Sequence, residues 1–124
     1  MQHIQVGDLY YSRLGEADNL HWVFCWQVMR ATSHNVWLCQ VNVQKLEKGP
    51  FQIRDSFYIE PIANQFLDEK NIIRRHVRVG STREKIMSCE KIYDVDGKHI
   101  SYDPIELHLF VRSDTELIAQ NVFY

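Results

Sequence analysis

The residues predict a mainly β, or small α+β, fold: a strongly bent antiparallel sheet or small barrel with one or two short helices. Three observations carry that expectation. Residues 21–31 (HWVFCWQVMRA) and 35–44 (NVWLCQVNVQ) are long runs of β-branched and aromatic types on either side of a tight turn at Ser33-His34. Asp96-Gly97 is a strong two-residue hairpin signal. Helical spacing is confined to two short stretches near Pro61 and Ser113.

Taken in chain order, Gln5 to Arg13 opens with Gly-Asp and runs into Leu-Tyr-Tyr, which suits a short first strand. The polar stretch LGEADN (14–19) reads as a loop. The two long strands then permit a register test. With the turn at Ser33-His34, facing residues carry numbers that sum to 67. Phe24 faces Val43, Trp26 faces Val41, Val28 faces Cys39, and Arg30 lies beside Trp37. The other face pairs Cys25 with Asn42 and Gln27 with Gln40, so one side is apolar and the other mixed. A slip of one residue sets Trp26 against Asn42 and Phe24 against Gln44, which spoils both faces. In this register Cys25 and Cys39 lie on opposite faces, and no disulfide joins them.

Lys48-Gly49-Pro50 is a loop before a short strand around Asp55 to Ile59. Pro61 suits the first turn of a helix, with Ile62, Ala63, Phe66 and Leu67 as its apolar stripe and Asn71 as a left-handed stop. Residues 72–79 (IIRRHVRV) and 85–95 read as strands. The Asp96-Gly97 turn links Ile92–Val95 to Lys98–Tyr102, and Leu107 to Arg112 is a further strand. Ser113 and Glu116 have the spacing of a capping box, which predicts a short helix over Thr115 to Gln120.

No linker, low-complexity tract or repeat interrupts the 124 residues, so 1–124 is expected to be a single compact domain. With 45% hydrophobic and 24% charged residues the composition excludes a disordered chain, a collagen, a coiled coil and a disulfide miniprotein. No apolar run reaches the roughly 18 residues of a membrane span, and MQHIQVGDLYY lacks the pattern of a signal peptide. The expected location is cytoplasmic. Cys25, Cys39 and Cys89 form no CxxC, which fits idle thiols in a reducing compartment.

The net charge of −2 hides an asymmetry. Residues 1–69 carry a net −3, residues 70–91 a net +5, and residues 92–124 a net −4. The basic block NIIRRHVRVGSTREKIMSCEK either binds an anion or pairs with its acidic flanks inside the fold. Its strand sends Arg74, His76 and Arg78 to one face, with Arg75, Val77 and Val79 on the other. Alternate strand residues repeat at about 6.8 Å, comparable with the phosphate spacing of an extended nucleic-acid strand. Arg74, Arg75, His76, Arg78, Arg83 and Lys85 are therefore the candidate anion or nucleic-acid ligands. The competing reading is an edge strand that uses charge to discourage pairing with another sheet. The acidic flank supplies a second candidate surface: Asp94, Asp96, Asp103, Glu106, Asp114 and Glu116, suited to a basic protein partner.

Other chemistry finds little footing. Trp22, Phe24 and Trp26 share a strand face that Trp37 joins across the hairpin, and they read as core. Asp94-Val-Asp96-Gly97 begins like a calcium loop, but Lys98 takes the fifth position and Ile105 the twelfth. His3, His21, His34, His76, His99 and His108 share no metal-ligand spacing, so no metal and no cofactor is expected. Asp94 opposite His99 with Cys89 nearby would make a nucleophilic trio, against the plainer reading of a cross-strand ion pair and an inert thiol. No nucleophile elbow or phosphate-binding glycine loop appears, and an enzyme is the minority reading.

The order of Gly7-Asp8-Leu-Tyr-Tyr11-Ser12, Asn19, Val23-Phe-Cys-Trp26-Gln27-Val28, Arg74-Arg75-His-Val and Asp96-Gly97-Lys98 resembles a group of small phage- and plasmid-borne proteins. In that group GDxxYSxWGYxQTNxDFYQVV is followed by a basic strand and a late WDGKP segment. Here Leu14-Gly15-Glu16 stands where the group has Trp-Gly-Tyr, and the Gln-Thr pair is missing. The resemblance implies a mobile-element accessory protein and transfers no catalytic residue.

Two functions are expected from these readings. The first is a non-enzymatic protein-binding module of a phage or mobile element, an inhibitor of a host defence nuclease of the CRISPR kind. Its partner would be that host protein. The alternative is a nucleic-acid- or nucleotide-binding β domain that uses the basic strand. Either would act as a monomer or a weak dimer, away from membranes.

Overall fold

The β-branched and aromatic runs form strands throughout. The computed structural model describes residues 4–14, 22–48, 57–112, 117–119 and 121–122, and no helix occurs among them. Seven strands form one bent antiparallel sheet: β1 (Leu9–Leu14), β2 (Trp22–Ala31), β3 (Asn35–Lys48), β4 (Phe57–Phe66), β5 (Ile72–Val77), β6 (Lys85–Tyr93) and β7 (His99–Leu109). Two short strands join it at the margins. β8 (Leu117–Ala119) runs along β4, and β9 (Asn121–Val122) runs parallel to β2.

The sheet bends until its hydrogen bonds return to their start. β1 pairs β2, β2 pairs β3, β3 pairs β5, β5 pairs β6, β6 pairs β7, and β7 pairs β1. The expected strongly bent antiparallel sheet is thus present, drawn round into a ring. β4 stands outside it, paired to the second half of β3.

Alternation along each strand then makes two cores. Inside the ring lie Tyr10, Val28, Val36, Leu38, Val77, Ile86 and Leu107, all buried, with Trp26, Ile73, Ile105 and Leu109 packed against them. On the outer face, Val23, Cys25, Val41, Val43 and Ile59 are buried with Leu9, Tyr11, Phe66 and Phe110 around them. Gln27 anchors the outer layer. Its amide donates to Asn64 Oδ1 at 2.9 Å, and its oxygen accepts from the Asn64 backbone N–H at 2.8 Å.

The register of β2 on β3 changes partway. Near the turn Arg30 faces Trp37 and Ala31 faces Val36, as the turn geometry predicts. A bulge at Met29 then shifts the ladder, so that Val28 faces Leu38, Gln27 faces Cys39 and Trp26 faces Gln40. The expected Trp26–Val41 and Val28–Cys39 pairs do not form. One extra residue on β2 turns Arg30 outward while Val28 and Ala31 both face the inner core. Trp37, adjacent to inward Leu38, faces outward too, separated from Trp26. Cys39 shares the outer side with Cys25, contrary to expectation, and both remain free thiols.

The helix expected after Pro61 is strand β4. Its side chains complete a layer that β3 leaves open, and Ile59 is 1% exposed there. Tertiary pairing outweighs the local helical stripe. The stripe survives as a bulge: Ile62 to Gln65 bridge the gap between the Val41–Phe66 and Val43–Pro61 pairs, with Asn64 at a φ of +65°. Of the second expected helix, Leu117 to Ala119 are strand, and residues 113–116 and 120 lie outside the described residues. β7 is also one continuous strand through Pro104, rather than two.

The Asp-Gly hairpin is present, with a wider turn than two residues. Asp94 N–H donates to Lys98 O and Gly97 N–H to Asp94 O, with Gly97 at a φ of +82°. Tyr93, not Asp94, faces His99. The outer half of this β6–β7 hairpin projects as a ribbon. Among the described residues β5 pairs β6 at Cys89 and Ser88, and β1 pairs β7 at Leu109 and His108, so beyond Cys89 and Pro104 the two strands pair with each other.

If the Met29 bulge sets which side chains face inward, Leu38→Ala should cost about 2–5 kcal/mol in urea unfolding. Arg30→Ala should stay within about 0.5 kcal/mol of the parent. Equal costs would contradict the register.

Candidate functional site

The basic block divides when its residues are placed. Arg74, His76 and Arg78 are exposed, while Arg75 is 5% exposed among the inward residues. Period-two alternation on β5 makes that separation. The Arg75 Nε donates to Ser88 Oγ at 3.3 Å, and that hydroxyl donates to Ile105 O at 3.3 Å. Arg75 therefore leaves the set of candidate surface ligands.

Two further cations are engaged by the acidic flanks. Arg83 holds Asp8 with both arms of its guanidinium, Nε to Oδ2 at 2.9 Å and Nη2 to Oδ1 at 2.8 Å. That hydrogen bond, with the carboxylate charge, raises the Arg83 pKa above the ordinary guanidinium range. The Tyr10 phenol donates to the Arg83 carbonyl at 2.6 Å, and burial, reinforced by the Asp8 charge, pushes its own pKa up. Lys85 lies 2.9 Å from Glu106 Oε1, and His108 sits 3.3 Å from the other oxygen. The Lys85 bond is the main cause that holds the Glu106 carboxyl below the usual range. Internal pairing thus accounts for Arg83 and Lys85.

The strand expected over 72–79 ends at Val77, so Arg74 and His76 lie on the outer face of β5 and exposed Arg78 follows just past its end, its N–H donating to Met87 O at 2.8 Å. Among the described residues none of the three in this row has an ion pair. β5 is an interior strand of the ring, paired to β3 and β6, so the row is not guarding a sheet edge. A second line crosses it. Arg74 faces Trp37 on β3, and Trp37 faces Arg30 on β2. Arg30 lies over the indole, its guanidinium carbon 4.6 Å from the ring centroid, within cation–π range. The surface therefore presents exposed Arg30, Arg74, His76 and Arg78 around a half-buried Trp37. Sequence reasoning placed Arg30 beside Trp37 but assigned that tryptophan to the core. Trp37 faces outward by alternation with inward Val36 and Leu38 on β3, and the Met29 bulge, which residue types do not announce, brings Arg30 to that side and sends Trp26 to the other.

The acidic surface is not brought together in the same way. Asp94 caps its own turn, accepting from the backbone N–H groups of Asp96 and Lys98 at 2.9 Å each. Asp96 is exposed at the ribbon tip, whereas Glu106 is tied to Lys85 and His108 at the other end of the hairpin, beyond the base of the ribbon. The side chains of Asp103, Asp114 and Glu116 lie outside the described residues. The nucleophilic trio does not assemble either. His99 Nε2 lies 2.9 Å from Ser101 O with its ring edge-on to Tyr93, and Cys89 is half-buried opposite His76.

Elsewhere, the β4 bulge leaves an open polar hollow lined by Asn42, Asn64, Asp68 and Glu69 among others. Among the described residues no three His, Cys, Asp or Glu side chains group as a metal site, and no helix is long and apolar enough to cross a membrane. Scans against protein-family models, curated proteins and solved structures find nothing that matches the chain.

Burial pushes the Cys25 thiol up to about 12, and burial with Asp68 and Glu69 nearby raises Cys39. In the native protein at about pH 8, an alkylating reagent should therefore modify Cys89 and leave Cys25 and Cys39 untouched until the chain unfolds. The sign of the pH effect follows from the same shift. Above the ordinary thiol value of 9.0 the unfolded chain releases the Cys25 proton and the native chain retains it, so this contribution to stability is complete below 9 and lost as pH rises toward about 12. Rapid native labelling of Cys25, read by peptide mass spectrometry, would contradict this placement.

Proposed function

We propose that this protein binds nucleic acid on the outer face of β3 and β5, with Arg74, His76 and Arg78 meeting successive phosphates. The observation that supports the reading most is the exposed row itself: Arg74 and His76 at alternate positions of an interior strand and Arg78 one residue past its end, unpaired among the described residues. Their repeat of about 6.8 Å suits an extended polyanion. A net charge of −2 is no obstacle, because phosphate contacts respond to the local field of a few side chains.

Charge reversal at two members of the row tests it. Arg74→Glu with Arg78→Glu should lower affinity for a labelled oligonucleotide by at least about tenfold, and should flatten the logarithmic salt dependence by about 1.4 for a single strand. Lys85→Ala, which removes a cation already held by Glu106, should bind like the parent. A double variant that binds as before with an unchanged salt slope would sink the proposal.

A protein-binding module is the second reading, and the β6–β7 ribbon favours it. Tyr93 is 54% exposed and Val95 fully exposed near the tip, a small apolar contact held away from the ring. Tyr93→Ala with Val95→Asp should then abolish capture of a protein partner while oligonucleotide binding stays intact.

A further inference from the structure

We infer that the nucleic acid on this face is single-stranded, and that one of its bases stacks on the guanidinium of Arg30, which Trp37 holds against the sheet. The inference rests on the reading above and deepens it by naming the strandedness of the ligand and a base-contacting residue.

Three observations converge on Arg30. It is exposed, and its guanidinium carbon lies over the Trp37 ring, 4.6 Å from the centroid, within cation–π range. It carries no ion pair among the described residues. It also stands in line with the phosphate row: Arg30, Trp37 and Arg74 are successive cross-strand partners, which puts Arg30 about 10 Å from Arg74 at two interstrand spacings. The Met29 bulge is the device that produces this line, and bulges commonly re-aim a side chain beside a working surface.

Strandedness follows from which part of a base such a surface can touch. The guanidinium of Arg30 is planar and can stack by its plane on a second π-system, and such a flat contact requires the face of a base. In a duplex the base faces are covered by their neighbours, and only the edges are open in the grooves. Bases of a single strand can splay out and stack on aromatic or guanidinium planes while the backbone follows a basic track. Arg74, His76 and Arg78 would supply that track, and Arg30 on Trp37 the platform. Because every base has a π-face, the platform should tolerate any sequence.

The test separates stacking from phosphate binding. Fluorescence anisotropy at one fixed ionic strength would compare oligo(dT) of about 12 nucleotides, an abasic deoxyribose-phosphate oligomer of the same length, and a duplex of that length. The parent protein should prefer oligo(dT) to the abasic oligomer by about tenfold, and should bind the duplex more weakly than oligo(dT). Arg30→Ala should erase the preference for bases. Arg30→Lys keeps the charge and loses the plane, so it should hold the abasic oligomer like the parent while also losing that preference. A thermal melt of each variant verifies that it folds. Equal affinity for oligo(dT) and the abasic oligomer, a preference that survives Arg30→Lys, or a duplex bound as tightly as oligo(dT) would overturn the inference and leave the phosphate row standing. No binding to any of the three probes would overturn both.

Discussion

The ring depends on one corner, where the Arg83 guanidinium spans the Asp8 carboxylate and the Tyr10 phenol rests on the Arg83 carbonyl. The seam needs that fastening because the ladder there is short: β1 meets β7 at Tyr10–Leu109 and Tyr11–His108. Tyr10 is fully buried between Leu107, Ile86 and Val28, so whatever positions its hydroxyl also positions the centre of the inner core. Asp8 is itself woven into the turn before β1, accepting from the Gln5 N–H at 3.0 Å and offering its carbonyl to the Val28 N–H at 2.9 Å.

The same corner explains the economy of charge on the surface. A basic block beside acidic flanks can spend its cations inside the fold or outside it. The structure spends Arg83 on Asp8, Lys85 on Glu106 and Arg75 on the ring interior. What remains outward is set by strand geometry, since alternation assigns Arg74 and His76 to one side, with exposed Arg78 just past the strand end. The bulge in β2 adds Arg30 to that side with Trp37 beneath it. Fold stability and the candidate site therefore draw on the same short stretch of sequence without sharing residues.

Local signals make most of the strands legible in the sequence. The long β2 and β3 runs, the turn at Ser33-His34 and the split of β5 into outward and inward residues all follow from composition and period two. The failures have a common physical origin in contacts between distant segments. Pro61 and its apolar stripe look helical to their neighbours, but β3 presents Val41 and Val43 needing a partner strand. A tight turn fixes the register only for the residues beside it, so the Met29 bulge misplaced Trp26, Val28 and Cys39 together. Asp8 and Arg83 stand 75 positions apart, beyond the reach of any local pattern. Trp37 bears most on the site: large aromatics usually mean core, yet it lies half-buried on the outer face, and the inserted residue on β2 parts it from Trp26.

Ring closure between β1 and β7 bears on how the chain finds its structure. Tyr10 must wait for Leu109, nearly the whole length of the chain later, before the seam can form. The β2–β3 and β6–β7 hairpins are local and can form early, whereas the circuit is completed by a contact of great sequence separation, the kind that slows folding through the entropy of closing a long loop. Until that moment β1 and β7 each present an unpaired edge, and the Tyr10 side of the inner core is open to water. A chain emerging from the ribosome would carry the unpaired β1 edge for most of its synthesis, until β7 is made and the last pair can meet.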